Sequence, residues 1–170
     1  LFTGGLGRFL RPEDVMRAFF KGFVYAGRGL WFCLRHERNF RIHLVAAAAV
    51  LGLAPFFRLS RGEWAVLLVT LALVIGAEAL NTAVEQAVDL ASPDRHPKAR
   101  AAKDAAAGAV LVCAAAAVGV GFALFFRPAV WAWLGSALVS RPWLLVALIL
   151  LAVLAFWFIA GAGVKDDSRK

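Results

Sequence analysis

Cysteine, tyrosine, methionine and acidic residues are all scarce in this chain. Of its 170 residues two are Cys, one is Tyr and one is Met. Cys33 and Cys113 lie far apart in apolar surroundings with no CxxC spacing, so neither a disulfide framework nor a zinc site is expected. His36 and His43 are seven positions apart without a third ligand at metal spacing, and they read as interfacial polar groups. A GxxxxGK[ST] phosphate loop and a protein-kinase catalytic-loop signature are both missing, which disfavours the soluble nucleotide-binding folds. Residues 1–10 lack the continuous apolar core and small-residue cleavage site of a secretory signal, so none is expected there. Asp and Glu number 11 against 19 Lys and Arg, giving a net charge of +8. That balance would suit nucleic acid, but the cations flank apolar runs and no stacking or groove-reading motif accompanies them. No nucleic-acid partner is expected, and topology explains the charge instead.

Apolar residues make up 62% of the chain, well above the near-half share of soluble domains. They fall into separate runs, which predicts an all-α integral membrane protein with one helical bundle and no second domain. Over 16–34, Met16, Phe19, Phe20, Phe23, Val24, Leu30, Trp31 and Leu34 recur at helical spacing while Arg17, Lys21, Arg28 and Arg35 fall mainly elsewhere. Residues 1–36 therefore read as an N-terminal extension and an amphipathic surface helix, with its aromatic face in the acyl boundary and its cations at the headgroups. A helix packed on the bundle is the plainer alternative. A core over 37–126 carries spans at about 42–57, 61–89 and 98–126. The first is short for a hydrocarbon thickness of about 30 Å unless Arg41 and Arg58 snorkel. Ser60 and Glu63 form a capping box that starts the second. A turn at Ser92, Pro93, Asp94, His96 and Pro97 separates the second span from the third. Residues 127–141 read as a Trp-rich loop, 142–163 as an additional transmembrane helix, and 164–170 as a tail. Fifteen Lys and Arg lie on one side of these four spans and four on the other. The imbalance predicts a multi-pass protein with both termini cytoplasmic.

Glu78, Asn81, Glu85 and Asp89 are spaced three, four and four apart, which puts them within an arc of about 80° on one helical face. A carboxylate entering a span costs several kcal/mol (~3) unless it is paired, protonated or facing water, so such a stripe is a functional candidate by default. Glu78, nearest the apolar part, suits a proton acceptor for an alcohol at the membrane surface. Glu37 and the Lys103–Asp104 pair lie on the same side of the bilayer and are candidates to converge on it. Carboxylates with a lysine are what Mg-ATP chemistry needs, because hard oxygen ligands hold Mg²⁺ and the cation neutralises phosphate charge. From spacing alone, phosphoryl transfer, ion translocation and plain interhelical hydrogen bonding all remain open.

Three segments narrow the choice: HERNFRIH at 36–43, EALNTAVEQAVD at 78–89 and HPKARAAKDAAAGAV at 96–110. Together, in this order and at these intervals, they resemble the prokaryotic diacylglycerol kinase family, including its undecaprenol kinase branch, over roughly 19–126. The resemblance implies a small homotrimeric membrane kinase with three transmembrane helices and a surface helix per subunit, using ATP and Mg²⁺ on a membrane lipid alcohol. It implies Glu78 as general base with Asn81 beside it, and Glu37 and Glu85 as the carboxylates holding Mg²⁺ on ATP. It further implies Lys103 and Asp104 as the nucleotide-contacting pair, with Tyr25, Asp94, Arg95 and His96 as peripheral contacts. It assigns Asp89 no role. Sites are expected to be shared between subunits, with Glu37 serving a neighbour's Glu78. The wording around His43 and 103–110 is closer to the undecaprenol branch, so undecaprenol is the expected substrate and diacylglycerol the alternative. A non-enzymatic scaffold or an ion-conducting bundle is the rival from another class. The fourth run and the basic tail depart from the three-helix pattern. They read as an anchor, with control of access or recruitment of a partner as alternatives. His96 fits equally as a cap for the third helix. The Ala and Gly run over 105–121 reads as close helix packing, and Trp131, Trp133 and Trp143 as an interfacial belt.

Overall fold

The computed structural model describes residues 12–92, 94 and 96–161, and every described element is helical. Residues 1–11, the 164–170 tail and Arg95 lie outside the described residues. The helices are α1 (Pro12–His36), α2 (Arg38–Leu53), α3 (Arg61–Ala91), α4 (Pro97–Phe125), α5 (Pro128–Ser140) and α6 (Pro142–Gly161), with a short 3-10 turn at Ala54–Phe57 after α2. Four segments are long and apolar enough to cross a membrane: Arg38–Phe57, Arg61–Ala91, Pro97–Phe125 and Pro142–Gly161. The protein is accordingly multi-pass.

Each break has a local cause. α1 stops at His36 and α2 starts at Arg38, with the intervening Glu37 extended at φ −103° and ψ 113°. Met16, Phe19, Phe20, Phe23 and Trp31 of α1 are all exposed, the aromatic face expected at an acyl boundary. The 3-10 turn closes on Arg58 at φ 48°, a left-handed conformation unusual for a side-chain-bearing residue. Ser60 then caps α3: its hydroxyl accepts from the Glu63 N–H, and the Glu63 carboxylate accepts from the Ser60 N–H at 2.7 Å. His96 caps α4, its Nδ1 accepting from the Lys98 N–H at 3.2 Å. The segment 127–141, expected as a loop, contains the 13-residue α5. Pro128 and Pro142 each occupy the first position of a helix, where a missing N–H costs nothing and the fixed φ is already helical.

α3 and α4 form the central antiparallel pair, α2 packs on α3, and α6 packs on α2 and α5. Ala54, Leu67 and Leu124 are buried together where α2, α3 and α4 meet. At that end Arg127 ties three elements together. Its guanidinium donates to the Phe57 carbonyl and, at 2.5 Å, to the Glu63 carboxylate, while Phe57 packs edge-on against Phe125 and Trp131. Replacing Arg127 with Gln leaves the α3 cap without its counter-cation and the Phe57 carbonyl without a donor. Thermal unfolding in detergent should then drop by a few degrees with nucleotide KM unchanged. An unshifted midpoint would show that the clamp contributes nothing.

Candidate functional site

The length of α3 sets the depth of the site. At 1.5 Å per residue its 31 residues extend about 46 Å, against a hydrocarbon core of about 30 Å. With Trp64 at one interface, the opposite boundary falls near Val84. Glu78 then sits about 9 Å inside, Asn81 near the boundary, and Glu85 and Asp89 beyond it. The antiparallel α4 brings Lys103 level with Asp89, one turn beyond Glu85.

Within this frame Glu78 is buried at 3% exposure and Thr82 at 2%; the Thr82 hydroxyl donates back to the Glu78 carbonyl at 3.1 Å. His43 of α2, Glu37 and Glu85 all lie within charge–charge range of Glu78. Glu37, Glu78 and Glu85 of one chain thus lie close enough to feel one another's charge. The Asn81 side-chain N–H donates to Glu85 Oε1 at 2.8 Å, which leaves Asn81 Oδ1 buried and without a hydrogen-bond partner. An orphaned acceptor beside a buried carboxylate needs a donor. Glu37, at the α1–α2 break outside the spans, is shifted towards its neutral form. Burial is the main cause and the Glu85 charge adds to it, partly offset by His36 and Arg41.

The other candidate residues gather at the α3–α4 turn. A cavity of about 590 Å³ is lined there by Asp89, Asp94, His96, Arg100, Lys103 and Asp104, among others. Lys103 Nζ donates to Asp89 Oδ1 at 2.5 Å, so the one acidic position without an expected role holds the lysine. Asp104 faces Arg100 one turn earlier at 3.6 Å. Asp89 follows Glu85 by one turn of α3, so the cavity and the carboxylate cluster are neighbours along the same helix face. Tyr25 is not in this group. It is exposed on α1 beneath the Arg28 guanidinium, 6.0 Å from the ring centre, and more than 15 Å, roughly, before the end of that helix.

Two features escaped the sequence reading. Arg41, expected as a snorkelling flank, is 3% exposed and donates to backbone carbonyls of α1 and α6. Nothing in the sequence marks a partner 118 residues away. Below His43, an apolar groove of about 350 Å³ runs between α2, α3 and α4. Ala46, Ala47, Ala114, Ala117 and Gly121 form part of its walls. The small residues that signal close packing line this space, because short side chains on three helices leave it unfilled.

Among the described residues no three His, Cys, Asp or Glu side chains are gathered to hold a metal by themselves. The cluster offers two rim carboxylates, so any bound cation must complete its shell from elsewhere. That suits Mg²⁺, which binds proteins through one or two carboxylates and takes its remaining oxygens from water and phosphate.

Residues 24–125 match the family of prokaryotic diacylglycerol kinases. The chain belongs to that family. This makes it a membrane lipid kinase, and the clustered carboxylates lie inside the matched residues. It is 46% identical over 113 residues to an undecaprenol kinase from Bacillus subtilis, covering 66% of this chain and 92% of that protein. It is 45% identical over 107 residues to a diacylglycerol kinase from Synechocystis, covering 62% of this chain and 61% of that protein. A Helicobacter pylori diacylglycerol kinase is 32% identical over 93 residues, which cover 55% of this chain and 73% of that protein. No solved structure matches. α5 and α6 lie beyond the region that matches the family.

Proposed function

We propose that the chain transfers the γ-phosphoryl group of ATP to the primary hydroxyl of a membrane lipid alcohol, with undecaprenol as the substrate and diacylglycerol as the alternative. The observation that carries this reading is that Glu37, Glu78 and Glu85 lie within charge–charge range of one another, with Glu78 buried and the other two part-exposed. Glu78 takes the proton of the lipid hydroxyl as its oxygen attacks the γ-phosphorus and ADP leaves. Asn81 stands beside Glu78 as the polar partner: its amide N–H fixes Glu85, and its Oδ1 is open to accept from the Glu78 carboxyl once that group carries the proton. Glu37 and Glu85 hold Mg²⁺ on the nucleotide. When bound, that ion neutralises charge developing on the phosphates. Lys103 exchanges Asp89 for a phosphate oxygen, and Asp94, Arg95, His96 and Asp104 line the nucleotide's outer side. The apolar groove below His43, about 350 Å³ in volume, takes the part of the lipid tail next to the reacting hydroxyl. The similarity to an undecaprenol kinase over nearly all of that protein favours undecaprenol as the substrate.

In this proposal the site faces the cytoplasm of a bacterial inner membrane, both termini lie on that side, and three copies assemble with sites completed at their contacts. Tyr25 reaches nucleotide only through such an assembly. Purified protein in lipid micelles with labelled ATP and either alcohol tests the reading. Label should enter undecaprenol faster than diacylglycerol. The reverse order would reassign the substrate, and no transfer to either would leave a scaffold or ion-conducting bundle as the better account.

A further inference from the structure

Arg41 stands in the first turn of a spanning helix, yet all four of its side-chain hydrogen bonds go to backbone. Nη1 donates to the carbonyls of Leu34 at 3.1 Å and Arg35 at 3.2 Å, and Nε and Nη2 donate to the Ile159 carbonyl at 3.2 and 3.1 Å. Leu34 and Arg35 belong to the last turn of α1, whose carbonyls have no intrahelical donor, and Ile159 to the last described turn of α6. A planar guanidinium with five N–H groups in a fixed fork can bond carbonyls of two helices at once in this geometry; an ammonium cannot. The Arg41 backbone N–H meanwhile bonds the Glu37 carbonyl at 3.3 Å. Glu37 is the single residue between α1 and α2, so the angle between those helices decides where its carboxylate points.

We infer that the fourth spanning helix positions the nucleotide site. Held by Arg41 at Ile159, the end of α6 fixes the α1–α2 angle and so aims Glu37 at Glu85. This rests on the reading of Glu37 and Glu85 as the carboxylates that hold magnesium-bound nucleotide. Arg41 acts through Glu37 and is a positioning residue. α6 is more than an anchor, because its Ile159 carbonyl is part of the joint.

Two full-length variants test it. Arg41→Lys keeps the charge and loses the fork. Insertion of two alanines between Leu151 and Ala152 keeps α6 long enough to span but turns the Ile159 carbonyl by about 200°. Each should raise the KM for Mg-ATP by about fivefold or more with kcat nearly unchanged. The combined variant should be no worse than the poorer single one, since both cut the same contact. Unchanged KM in both variants, a loss confined to kcat, or additive effects would overturn the inference. If Arg41→Lys does not fold, the insertion alone decides by the same criterion. Glu37→Gln is assayed alongside. A raised KM there beside unchanged values in the other two sinks this inference alone, whereas an unchanged KM in Glu37→Gln removes the magnesium-holding reading and this inference with it.

Discussion

Glu78→Gln should reduce kcat by about 10²–10⁴-fold, the usual contribution of a general base, while leaving Mg-ATP affinity intact. Gln keeps the shape and a hydrogen-bonding oxygen but cannot accept the proton of the lipid hydroxyl. The two measurements separate because the groups occupy different depths: Glu78 is buried on α3, whereas Glu85, two turns on, holds the Asn81 amide nearer the boundary. Kinetics with saturating lipid, alongside nucleotide binding measured directly, check both halves. Comparable turnover in the mutant would reject Glu78 as the base, and lost nucleotide affinity would move it into the metal-holding group.

The second large effect concerns the rim carboxylates. Glu85→Gln and Glu37→Gln should each raise the KM for Mg-ATP by about 10–100-fold, at least the cost seen for groups one shell out from a metal. Glu85 affinity unchanged by substitution would count against its metal role. Glu37→Gln carries an opposite signature in stability. Burial and the Glu85 charge push the Glu37 carboxyl up, so the folded chain binds that proton more readily than the unfolded chain does. The cost of keeping Glu37 ionised is fully present above the raised pKa and disappears as pH falls towards the ordinary carboxylate range. At neutral pH without magnesium or nucleotide, Glu37→Gln should therefore unfold at a higher temperature than the parent. The difference should shrink on mild acidification. A less stable or pH-insensitive variant would mean that Glu37 is compensated in the resting protein.

The sequence made much of this legible, for reasons that differ from residue to residue. Ser60 and Glu63 announce the start of α3 because a capping box is a local pattern. The acidic stripe is visible because helical periodicity converts spacing into direction. The four spans are plain because apolar length maps onto bilayer thickness. α5 was missed although Pro128 and Pro142 marked two helix starts, since its tryptophans and flanking arginines also fit an interfacial loop. Arg41 and Arg127 were beyond sequence reasoning. Each looks like an ordinary flanking cation, and only the tertiary arrangement shows which carbonyls it meets. The Lys103–Asp89 pair likewise joins two helices whose register no local rule fixes.

α3 is about half as long again as the hydrocarbon layer it crosses. The hydration of Asn81 and Glu85 is therefore governed by acyl-chain length in the host membrane as well as by protein contacts. Longer lipids would draw both residues towards oil, and shorter ones would lift Glu78 towards water. Cells that adjust lipid length with temperature would, in doing so, also retune this site.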